Sequence, residues 1–127
     1  MKRQTFLTIA AVGGVLLAVF MIASPAKMME EMGSQPSDAA NVLLQVVGAM
    51  MFSIAVILFL ARKDEGSIAL RATIIGNIIM GIVTIPIDWI AYQRGIFTQI
   101  SSLIPSTIFH IIFVVGFIYY LMNLSKK

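Results

Sequence analysis

Four runs of about twenty or more mostly apolar residues, parted by short polar breaks, constrain this chain more than any other feature. A helix needs roughly 20 such residues to cross a hydrocarbon layer of about 30 Å, because each residue adds about 1.5 Å. The runs cover about residues 5–23, 41–61, 68–92 and 96–123. The first break, 24–40, carries Pro25, Lys27, Glu30, Glu31, Gly33, Pro36 and Asp38. The second reads RKDEGS from Arg62 to Ser67, and Gln93, Arg94 and Gly95 form the third. Water is absent from a bilayer core, so a spanning backbone must satisfy its own hydrogen bonds, which a helix does. The expected fold is all-α: one domain over 1–127, an integral membrane antiparallel four-helix bundle.

Composition removes the soluble alternative. Of 127 residues, 59% are hydrophobic and 12% charged, whereas soluble domains carry about 25% charged residues. A soluble chain of this size buries only roughly 60–70% of its unfolded surface, so lipid has to cover the remainder. Cysteine is absent, which excludes disulfides, thiolate metal sites and a dithiol relay. A net charge of +3 is no nucleic-acid signal when the basic residues sit at the ends of apolar runs.

Those basic residues predict an orientation. With the N-terminus inside, Lys2, Arg3, Arg62, Lys63, Arg71, Lys126 and Lys127 share the cytoplasmic side, and Lys27 and Arg94 lie outside. Positive charge collects on the cytoplasmic side of such proteins, so both termini are expected inside, in a multi-pass protein of the cell (inner) membrane. Trp89, Tyr92 and Phe97 then mark the outer interface, and Tyr119 and Tyr120 the inner one. Lys2 and Arg3 before an apolar run also suit a signal peptide, with Ser24-Pro25-Ala26 as a loose cleavage site. The run is longer than most signal cores, and a retained span is expected. The segment AKMMEEM (26–32) has no breaker and repeats methionine at helical spacing. It reads either as a short amphipathic helix on the outer surface or as an ordered loop.

Polar residues inside the spans carry what functional signal there is, because lipid cannot satisfy them. Thr73, Asn77, Gly81, Thr84 and Asp88 follow at intervals of four, four, three and four, one stripe on a helix. Thr98, Ser102, Ser106 and His110 are each four apart and form another. Pro105 breaks a backbone bond there, and the Ser102 hydroxyl is a candidate partner for the freed carbonyl. The second span adds Gln45, while the first offers only Ala10, Ala11, Gly13, Gly14 and Ala18. Depth counting sets Asn77 and His110 near the midplane, with Gln45, Thr84, Ser106 and Asp88 further out. These six residues predict an outward-opening polar pocket for a small amphipathic ligand or lipid.

Blander readings stand beside this one. His110, the single histidine, suits a buried neutral imidazole bonded to Asn77 or a serine. Haem ligation is disfavoured, since its second ligand would have to be Met51, Met80 or a residue of a partner subunit. Asp88 suits a solvated interfacial carboxylate near Arg94, beside its functional reading as the mouth of the pocket binding a cation or polar headgroup, and Arg71 a side chain reaching the interface or pairing with Asp64 or Glu65. The nine methionines read as core filler, and Met28, Met29 and Met32 lack the histidine cluster a copper site would want. No catalytic residue and no metal ligand is assigned.

The segments SPAKMMEEMG and VVGAMMFSIAVILFLAR, with a polar third span, resemble the bacterial DoxX-like membrane proteins. That resemblance implies a four-helix fold and a link, in some members, to quinone-associated respiratory or thiosulfate-oxidising complexes. It brings no catalytic motif and assigns no residue. Two further functions therefore stand beside ligand binding. One is an accessory subunit of a larger respiratory or transport complex, recognisable by small residues 10–18 left uncovered. The other is a small membrane enzyme or an oligomeric transporter. The expected partners are the lipid bilayer and a membrane protein or further copies of the chain, with no nucleic acid.

Overall fold

The computed structural model describes residues 1–124; Lys126 and Lys127, counted above among the basic residues, lie outside the described residues. Five helices follow in order: α1 (Arg3–Ala23), α2 (Pro25–Glu31), α3 (Asp38–Ala61), α4 (Ile68–Gln93) and α5 (Ile100–Leu124). All but α2 are long and apolar enough to cross a membrane. At most 28% of the most apolar stretch of any of the four is buried inside the protein. Their remaining apolar surface faces outward, as it must where lipid is the solvent, and the chain reads as a multi-pass membrane protein.

Local sequence sets the helix ends. Ser24 leaves helical geometry before Pro25, whose ring disfavours the α conformation one residue upstream, and Pro25 then occupies the first turn of α2. The segment with two readings is thus a helix. Ser37 caps α3 by accepting from the Ala40 N–H at 3.2 Å. Ser67 caps α4 by accepting from Leu70 N–H at 3.1 Å while donating to Asp64 at 2.8 Å.

The last span starts later than its apolarity predicts, at Ile100 and not at 96. Gly95, at φ +68°, closes α4 with bonds from its own N–H to Tyr92 O at 3.0 Å and from Ile96 N–H to Ala91 O at 2.9 Å. Such a double closure reverses the chain. The N–H groups of Thr98 and Gln99 then donate to Met32 O at 3.0 and 3.2 Å. Hydropathy cannot register either event, because both are backbone hydrogen bonds.

Packing is strongest within two pairs, α1 with α3 and α4 with α5. In the first pair a Cβ on Gly48 would stand 3.0 Å from Ala18 O and 3.0 Å from the Met21 Cβ. Ala11 and Ala18 are fully buried, while Ala10, Gly13 and Gly14 of the same helix are partly exposed. The second pair is tied by the Trp89 indole N–H, which donates to the Thr107 hydroxyl at 3.1 Å.

The two pairs join mainly at one end. There the start of α1 (Phe6, Leu7, Ala11), the end of α3 (Leu58, Ala61), the start of α4 (Leu70, Ile74) and the end of α5 (Phe117, Tyr120, Leu124) form one buried cluster. Phe6 stands at its centre, with ring centroids 5.1 Å from Phe117, 5.0 Å from Tyr120 and 5.7 Å from Phe113. Its ring lies where a side chain on Gly116 would be. Polar contacts brace the same end. Tyr120 donates to Met1 O at 2.7 Å and Arg3 to Asp64 O at 2.5 Å. Arg71 donates to Gly66 O at 3.2 Å and Leu124 O at 2.9 Å, tying the loop before α4 to the end of α5. Arg62 donates to Phe59 O and covers the Phe59 ring.

Gly116→Leu should therefore cost about 1–3 kcal/mol by overpacking. Gly76→Ala, at a position with nothing within 4 Å, should keep or raise stability through better helix propensity. Thermal unfolding of both variants in mild detergent measures the contrast.

Candidate functional site

Away from the Phe6 cluster, α1 and α5 part. The space between them is a groove of about 490 Å³, lined by Gly13, Leu16, Leu17 and Phe20 of α1 and by Ser102, Ser106, Phe109 and His110 of α5. Met28, Glu31 and Met32 line it at the end remote from the chain termini. Most of its wall is apolar, and its hydroxyls and imidazole lie along one stripe of α5.

α2 is held over this groove from both sides. The covalent hinge at Ser24 joins it to α1, with Ser24 N–H donating to Phe20 O at 2.9 Å. At its other end a carbonyl that the helix leaves without an internal partner, and one just past it, receive bonds from the start of α5 and the residues before it. Ser102 Oγ donates to Glu31 O at 2.6 Å, and Thr98 Oγ1 donates to Gly33 O at 2.8 Å. Gly33 closes α2 at φ +72°. Its N–H donates to Glu30 O at 2.8 Å, and Ser34 N–H donates to Met29 O at 2.9 Å. A Cβ at position 33 would collide with Thr98 and stand 3.0 Å from Gln99 N. Glycine is required there twice, by handedness and by space.

The six residues expected to share one pocket are divided. Ser106 and His110 lie in the groove. Asp88 lines a smaller cavity of about 60 Å³ with Met32, Phe97, Gln99, Ser102, Leu103 and Ser106. Ser102, Ser106 and Met32 border both spaces, which makes them neighbours. Asn77 meets His110 in another cavity of about 60 Å³, beside Met51 and Met80.

Gln45 is elsewhere. Its amide donates to Ile22 O at 3.1 Å, on the seam between α1 and α3. Thr84 donates to Met80 O at 2.8 Å, and Thr73 and Asn77 likewise donate to carbonyls four residues back, each at 2.8 Å. Back-bonding of this kind is how a lone polar group survives on a spanning helix. The α4 stripe is thus divided, with Asn77 and Gly81 at one cavity and Asp88 at another.

Three expectations about α5 also change. Thr98 falls outside the helix, so its polar stripe begins at Ser102. The Ser102 hydroxyl bonds across to α2 and does not serve the carbonyl freed by Pro105. Of the partners foreseen for His110, the Asn77 amide donates to Thr73 O and Ser102 to Glu31 O, which leaves Ser106 as the serine beside it in the groove. The imidazole, half-buried, meets the Phe109 ring edge-on, with centroids 6.2 Å apart. Residues that sequence reasoning does not assign to the pocket are Met28 and Glu31 on α2, Met32 just after it, and Phe109 on α5. A signal for them exists: Met28, Glu31 and Met32 are spaced three and one apart, on one face of a helix turned to the groove.

No protein-family model, no curated protein and no solved structure matches this chain.

Gly33→Ala should loosen α2 from α5. The expected loss is about 1 kcal/mol or more, with faster proteolysis within residues 33–37. Ser102→Ala should lose about 1 kcal/mol by removing one hydrogen bond. Unfolding curves and limited proteolysis in detergent read both effects.

Proposed function

We propose that the chain is a non-enzymatic binding module of the inner membrane. Its four long helices form an antiparallel bundle with both termini in the cytoplasm, and a small amphipathic ligand or lipid occupies the space between α1 and α5. The observation that carries this reading is the groove itself. At about 490 Å³ it falls within the roughly 300–1,000 Å³ typical of ligand sites, which are mostly apolar with a few placed polar groups. Phe20, Leu16, Leu17 and Phe109 supply the apolar wall, and Ser102, Ser106 and His110 the polar stripe.

The orientation is supported by charge. Lys2, Arg3, Arg62, Lys63 and Arg71 lie at the end where the Phe6 cluster sits, against Lys27 and Arg94 at the other. The bundle arrangement is supported by contacts that pair the start of α1 with the end of α3 and the start of α4 with the end of α5. The resemblance to DoxX-like proteins agrees with four spanning helices. An accessory-subunit role draws less support, because Ala11 and Ala18 are covered within the chain.

The absence of native cysteine makes labelling direct. The thiol of a Ser106→Cys variant should react with a membrane-impermeant maleimide added from outside, and an amphiphile filling the groove should slow that reaction. An unreactive thiol in a folded Ser106→Cys variant contradicts the groove as an accessible site. A fluorescent protein fused to either terminus should fold and fluoresce in the cytoplasm. Fluorescence lost at both termini, with alkaline phosphatase active there, reverses the orientation.

A further inference from the structure

We infer that the ligand of this groove carries a cationic head. The inference rests on the groove being the binding site and adds the chemical class of what enters it. Two acidic residues lie at the polar end of the space, one lining the groove and one the cavity beside it. Glu31 of α2 lines the groove directly. Asp88 of α4 lines the adjoining cavity, and Ser102 and Ser106 border both. A head group resting on those two serines therefore has an acidic residue in each of the two spaces they border. Ser102 Oγ already donates its proton to Glu31 O, so its oxygen faces a guest as an acceptor.

The surroundings keep that sign. The segments at this end carry Glu30, Glu31, Asp38 and Asp88 against Lys27 and Arg94, a net of two negative charges. The opposite end, counted over the described residues, carries Lys2, Arg3, Arg62, Lys63 and Arg71 against Asp64 and Glu65, a net of three positive charges. An anionic head would meet two carboxylates beside a low-dielectric wall, where repulsion is screened less than in water. A cationic head meets attraction from both, and its chain lies along Leu16, Leu17, Phe20 and Phe109.

Binding of three probes with one chain length separates the terms. Decyltrimethylammonium, decyl sulfate and decanol are titrated calorimetrically into the protein in lipid nanodiscs, with empty nanodiscs subtracted. The expected order is cation tightest, by about tenfold or more over the other two. Glu31→Gln, an exposed position, and Glu31→Gln/Asp88→Asn should lower cation affinity toward that of decanol. Equal binding of all three probes, or preference for the sulfate, overturns the cationic inference while the groove stands. Cation affinity undiminished in both variants overturns it as well. Absence of saturable binding by any probe overturns the groove reading and this inference together.

Discussion

Phe6 against Gly116 is the contact on which the rest of this architecture depends. Both helix pairs are internally cohesive, but between the pairs the large shared core is at one end, where a single aromatic ring fills the space left by a missing side chain. In a membrane the hydrophobic effect does not drive helices together, since lipid is as apolar as leucine; close packing and buried polar contacts have to do it. The fold meets that requirement locally. Small residues and aromatics interlock near the termini, and arginine and tyrosine donors fasten loops and chain ends to one another. Because cohesion is concentrated there, α1 and α5 are free to diverge further along.

That divergence would leave two helix edges without support were it not for α2. Seven residues long, it is too short to be stable alone. Its identity as a helix comes from its boundaries: proline at the start, a left-handed glycine at the end, and side-chain and backbone donors from the segment that opens α5. The result links a helix of one pair to a helix of the other over the open groove.

Much of this is legible in the residues. Four spans follow from length and apolarity alone, and most of their starts and ends fall within a few residues of the helices. The stripe Ser102, Ser106 and His110 does share a face, because a helical period is local. What is not legible depends on partners distant in sequence. Residues 96–99 look like the start of a span, yet Thr98 and Gln99 are held by the Met32 and Gly33 carbonyls, far earlier in the chain. Gln45 looks like a pocket residue at the right depth, but depth does not say which neighbour a helix face meets, and Gln45 meets α1. Thr84 and Asn77 satisfy themselves on their own helix, an outcome equally available to every hydroxyl and amide in a span. Met28 and Met32 read as filler because methionine is common in cores, and only the fold brings them to the same groove as His110.

The placement of α2 also decides by which route the groove can be reached. Tethered at both ends across the remote mouth, it narrows passage along the helix axes, whereas the gap between α1 and α5 has no such cover on its flank. On the proposed binding role, a molecule dissolved among the acyl chains would enter sideways without first returning to water. The quantity that governs occupancy is then concentration per area of bilayer, and an amphiphile scarce in solution but strongly partitioned would fill the site.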